Sequence, residues 1–219
     1  MPAEAFKFDG MSSPSKAKIV EKFSGNSVLD VGCHNGELVG FLDSIGKRSA
    51  GIDINEKFIA EARRKYPHIE FKVASAESIP YPDNSFDTCV AWNLLEHLED
   101  DKKGLRELLR VARHNVILTV PREDEISIPS AVTYRHYVDP THKRYYSEKS
   151  LKKLIGEGER IIHLELISRV TPLLAYAKIG IPMILCKVLD KVFWIISPNK
   201  RVFFSAWLVC VEKEKVEHD

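Results

Sequence analysis

The chain has 219 residues, 44% of them apolar and 29% charged, which suits one α/β domain with a sizeable core. A formal net charge of +1 excludes a global field that would gather nucleic acid, so any electrostatic selectivity has to be local. The four cysteines, Cys33, Cys89, Cys186 and Cys210, form no C-x-x-C pair, which argues against a cysteine zinc site and for buried free thiols in a reducing compartment.

Residues 1–14 hold no apolar stretch of signal-peptide length and read as a flexible lead-in, so a cytoplasmic location is expected. From there short apolar runs alternate with helical patterns over a single domain. That alternation predicts a doubly wound, mostly parallel seven-stranded sheet with helices on both faces. Helices are expected over 15–23, 36–45, 56–66, 103–113 and 148–156. Strands are expected near 27–32, 49–54, 69–74, 87–92, 115–121, 161–170 and 204–213.

The first strand, Val28-Leu29-Asp30-Val31, runs into a turn bearing Gly32 and Gly36 and then into a helix. Those glycines let the backbone turn sharply and approach a ligand closely. About twenty residues on, the second strand ends at Asp53, where ribose hydroxyls would need an acceptor. Dinucleotide dehydrogenases use a related loop, but G-x-G-x-x-G is absent, because His34 stands two residues after Gly32. Asp30 also places a carboxylate where a pyrophosphate would be repelled and a positively charged ligand welcomed.

This segment resembles motif I of class I S-adenosylmethionine-dependent methyltransferases, usually D-x-G-x-G-x-G, with His34 replacing the middle glycine. The stretch Phe71 to Asp87 is similar to the family's third-strand exit, although Ser75 stands where an acid is common. Thr88 to Trp92, followed by Asn93-Leu94-Leu95-Glu96-His97-Leu98, resembles its fourth strand and the turn after it. The likeness covers residues 20–156 and, more loosely, the strand near Trp207. It implies a Rossmann-like methyltransferase fold and S-adenosylmethionine as cofactor, with S-adenosylhomocysteine as product. The acceptor it implies is a small molecule, oxygen being the favoured acceptor atom. Asp30, Gly32, Cys33 and Gly36 would shape the methionine end, although Cys33 also suits a small packing position. Asp53 would take the ribose, Ile54 would pack on the adenine, Ala76 and Glu77 would border it, and Asn93 would lie along the methionine. A cofactor-binding module without turnover and a nicotinamide-dependent dehydrogenase are the rival readings.

Residues 122–146 form a long connection dense in rings and charges, read as an ordered lid over the crevice. An oxygen nucleophile needs a base with a pKa near working pH, which selects His97, His136 and His142 as catalytic candidates. Local capping and packing compete for those histidines. Tyr134, Arg135, Lys143 and Arg144 are candidate acceptor contacts, the cations suiting an anionic group; a solvated charged face is their alternative. Small-RNA 2′-O-methyltransferases and ubiquinone-pathway O-methyltransferases resemble Asn93 to His97 with E-x-x-E-H around a divalent metal, and Asn93 departs from that pattern. A metal at Glu96, His97 and His136 or His142 is therefore a further alternative and not the expected cofactor.

A second insertion, 172–201, is apolar; within it Met183 to Ile196 has its charges at helical spacing (Lys187, Asp190 and Lys191), and no uncharged run is long enough to span a membrane. Packing on the domain or a homodimer partner, forming the wall of an apolar acceptor pocket, and lying on a membrane surface all remain open to it.

Overall fold

A computed structural model describes residues 14–123, 141–156, 158–169 and 204–213, with 182, 184, 185, 188, 191, 192 and 195 between the last two stretches. The expected alternation is present. It runs α1 (Pro14–Phe23), β1 (Ser27–Val31), α2 (Glu37–Ser44), β2 (Arg48–Asp53), α3 (Glu56–Lys65), β3 (Glu70–Val73) and β4 (Phe86–Trp92). A 3-10 turn at Leu95–His97 follows, then α4 (Asp101–Val111), β5 (Ala112–Pro121), α5 (Glu148–Ile155), β6 (Arg160–Arg169) and β7 (Phe204–Glu212).

The sheet has seven strands in the order β3-β2-β1-β4-β5-β7-β6. β1 to β5 are mutually parallel, and β7 runs antiparallel between β5 and β6. Every residue of β1 is buried. This suits a central strand covered on both faces, since crossover helices leave neither side to water. One face packs Leu29, Val31, Ile52, Leu105, Leu108 and Leu118; the other packs Val28, Val90 and Ile117 under Val20, Leu38 and Leu42 of α1 and α2.

Helix starts follow their local chemistry. Asn55, Asp100 and Ser147 each accept a backbone N–H of the first turn of α3, α4 and α5. One end differs from expectation: β5 begins at Ala112, directly after α4, not near 115. After the buried Ala112 come Arg113 and His114, exposed and polar, so no apolar alternation marks this end.

α1 is held to the sheet by Asn115, whose Nδ2 donates to the Phe23 carbonyl at 2.7 Å while its Oδ1 accepts from Thr88 Oγ1 at 2.6 Å. That anchoring fixes the other end of α1 beside the carboxyl tips of β1 and β4.

Candidate active site

Strand order reverses between β1 and β4, and a crevice opens at the carboxyl ends on either side of such a reversal. Asp30 pairs in register with Gly51 of β2 and Val90 of β4, at the centre of that reversal. It is 2% exposed, and its Oδ1 has no hydrogen-bond partner among the described residues. Burial pushes its carboxyl above the usual range, Lys16 opposes the rise and Asp53 adds to it. A buried acid in that condition welcomes a cation.

The turn after β1 is built as its glycines suggested. Gly32 and Gly36 sit at φ 78° and 79°, and His34 adopts φ 51° between them. A side chain at Gly36 would meet Phe71 Cζ at 2.7 Å, so the turn is packed tightly from beneath. The strain at His34 is offset locally. Its N–H donates to Asp53 Oδ2 at 2.9 Å, and its ring lies 3.6 Å from that of Phe58. Asp53 Oδ1 accepts the Asn55 N–H at 2.9 Å. Asp53 therefore ties β2 to the loop, and with two of about four lone-pair sites used it can still accept from a ligand. Ile54 beside it is 74% exposed, an apolar surface available to a ring.

Other candidate residues take positions that the sequence did not reveal. Cys33 is buried against Gly51, where burial pushes its thiol far up, so it packs beneath the loop and offers the crevice only backbone. Ala76 belongs to the hydrophobic core. Glu77 Oε1 accepts the N–H groups of Glu99 and Asp100, which binds the third-strand exit to the start of α4. Asn93 is exposed at φ 50°, with its N–H and Oδ1 both bonded to Thr119 of β5.

Beyond Asn93, Glu96, His97 and His142 converge, one ligand atom from each lying within 4.8 Å of the others. Glu96 is fully buried, and its Oε1 lies 3.9 Å from His142 Nε2. The His97 and His142 rings are 4.8 Å apart, and His97 Nδ1 contacts Thr141 Oγ1 at 3.0 Å. A carboxylate beside two imidazoles can relay a proton, and the same three donors fit a divalent cation. Asn93 Oδ1 accepts from Thr119 Oγ1 at 2.8 Å.

Of the acceptor-contact candidates, Lys143 pairs with Glu99, and Arg144 pairs with Asp101 at 3.5 Å and donates to the Glu99 carbonyl at 3.0 Å. Both cations thus fasten the described end of the lid to the 95–101 segment. His136, Tyr134 and Arg135 lie outside the described residues.

Lys16 carries no functional signal in the sequence. On α1 it is only 5% exposed, its ammonium 5.2 Å from the Trp92 ring centroid. Burial pulls its pKa down, and the charge of Asp30 does most to resist that fall. A lysine in an amphipathic helix normally points to water, so only the tertiary placement reveals it.

Residues 29–120, which span this crevice, match the family model of a methyltransferase domain. That part of the chain is similar to methyltransferase domains. Its relatives include an S-adenosylmethionine-dependent methyltransferase of Mycolicibacterium smegmatis named as probable, 27% identical over 142 residues, covering 63% of this chain and 53% of the relative. A ubiquinone/menaquinone biosynthesis C-methyltransferase of Rickettsia bellii is 33% identical over 100 residues, covering 40% of each chain. The chain thus spans about half the length of the first of these relatives. Among solved structures, the [4+2]-cyclase SpnF shares the fold at a TM-score of 0.65 and 21% identity, over 91% of this chain and 81% of its own. A cyclase on the same scaffold underlines that the methyltransferase fold does not name a reaction and that the site has to.

Proposed function

We propose that the chain binds S-adenosylmethionine across the tips of β1, β2 and β4 and methylates a small molecule at oxygen. The observation that carries this reading is Asp30, a buried carboxylate at the strand-order reversal with one oxygen lacking a donor among the described residues. It sits beside a tight glycine turn and an exposed apolar Ile54. That combination suits a ligand with a cationic centre, a ribose and an aromatic base.

When bound, S-adenosylmethionine supplies a methyl group already activated by a positive sulfur. The protein's task is then alignment, and well-oriented reactants gain roughly 7–11 kcal/mol over free encounter. Gly32 and Gly36 would admit the ligand backbone-close, Asp53 would accept from the ribose, and Lys16 would meet the methionine carboxylate. Asn93, pinned by Thr119, would line the path between the methionine moiety and the histidines.

An oxygen acceptor loses its proton as its bond to carbon forms. His142, its Nε2 3.9 Å from Glu96 Oε1 and its ring packed on that of His97, is the group we assign to receive that proton. Calorimetry with S-adenosylhomocysteine and turnover of a phenol and hydroxy-acid panel with the labelled donor test the two halves separately. Saturable binding with methyl ether formation supports both. Binding accompanied by transfer only to carbon or nitrogen would refute the oxygen assignment. Activity that vanishes on exhaustive chelation and returns with a divalent cation would instead make the Glu96–His97–His142 cluster a metal centre.

A further inference from the structure

The second insertion contributes nothing described to the crevice, yet its described residues share one property. Ile184, Leu185, Val188 and Val192 are 77%, 46%, 54% and 48% exposed. All are helical, as is the exposed Lys191 between them. At 3.6 residues per turn these five positions fall on a single face. An apolar stripe this exposed marks a surface that meets something other than water.

Charge indicates what it meets. Residues 172–201 carry five basic side chains (Lys178, Lys187, Lys191, Lys200 and Arg201) against one acid, Asp190. The whole chain holds 32 basic and 31 acidic residues, so this positive excess is local and the remainder is mildly acidic. Self-association through a two-fold axis would set this net-positive segment against its own copy, because such an interface uses the same patch twice. Among the described residues no helix is long and apolar enough to cross a bilayer.

We infer that the face carrying Ile184, Leu185, Val188, Lys191 and Val192 docks on an anionic membrane surface, its aliphatic side chains entering the acyl boundary and Lys191 meeting the headgroups. Interfacial helices combine these two features, an apolar stripe with basic neighbours. Each basic residue near an anionic bilayer adds about 1 kcal/mol, which falls off within a Debye length. The inference does not depend on methyl transfer; it concerns where the domain works, not what it transfers.

Co-sedimentation of the full chain with vesicles tests it. The protein is expected to pellet with equimolar phosphatidylcholine–phosphatidylglycerol vesicles and to stay in solution with phosphatidylcholine alone. High salt should weaken the binding. The double variant Ile184→Asp/Val188→Asp should abolish it, and Lys191→Ala should weaken it about fivefold, the equivalent of ~1 kcal/mol. Because these side chains are exposed, all variants should keep the native melting temperature and the native response to S-adenosylhomocysteine, which separates loss of docking from loss of folding or of the crevice. Native protein that ignores anionic vesicles would overturn the inference. Equal pelleting of native and double-variant protein would do the same. So would a concentration-dependent dimer that the double variant dissolves, since the occupant would then be a second copy.

Discussion

At the residue scale, the two acids of the crevice do different work. Asp53 spends an oxygen on each of two backbone N–H groups, so it shapes the loop before any ligand arrives. Asp53→Ala should therefore weaken S-adenosylhomocysteine binding by about 2 kcal/mol, roughly thirtyfold, and also lower the melting temperature. A change under twofold by calorimetry would contradict the assignment. Asp30 and Lys16 are buried together, each opposing the other's shift. Lys16→Met should reduce affinity for S-adenosylhomocysteine more than for 5′-methylthioadenosine, which lacks the carboxylate. An equal loss for both would remove Lys16 from the carboxylate site. His142→Ala should cut turnover by about a hundredfold with cofactor affinity unchanged, the usual scale for a lost general base. Unchanged turnover would assign that proton to another group.

Individual elements show what the sequence made legible. The β1 turn was readable because glycine at a left-handed position leaves a one-dimensional trace, and Gly32 and Gly36 adopt that conformation. Gly36→Ala adds both the left-handed penalty and the contact with Phe71. It should cost about 2 kcal/mol or more and lower the melting temperature by at least about 4 °C. A native-like thermal scan would show that the turn relaxes freely. Other roles were illegible because they depend on distant partners. Glu77 looked like a neighbour of adenine in sequence, yet its carboxylate turns to backbone 22 and 23 residues away. Lys143 and Arg144 read as anion binders in sequence, and their pairing with acids of the 99–101 segment shows only in the fold. The convergence of Glu96 and His97 with His142 required the described end of the lid to fold back over the 3-10 turn, where the Lys143 N–H donates to the Glu96 carbonyl at 2.9 Å.

Across the whole molecule, polar clamps away from the crevice tie helices to the sheet and make stability depend on pH. Glu107 is held below its ordinary pKa first by hydrogen bonds from Arg110, against the cost of burial, with the Ile79 N–H assisting. Arg110 also donates to the Ile79 and Tyr81 carbonyls and to Asp83, joining α4 to the loop before β4. With the folded value depressed, this contribution is complete above the ordinary glutamate pKa of about 4.3 and is lost as pH falls through the folded value. Melting temperatures recorded from neutral to acid should therefore fall less steeply for Glu107→Gln than for the native chain. Parallel curves would show that the clamp carries no pH-linked stability.

The crevice, the glycine turn and the proton-accepting cluster matter to function only if a sulfonium nucleoside or its product occupies the tips of β1 and β2. Titration calorimetry of S-adenosylhomocysteine into the folded chain tests that most directly. A saturable one-to-one heat is expected, and Asp53→Ala should largely remove it. No heat from well-folded protein, together with a melting temperature raised by NAD, would contradict it.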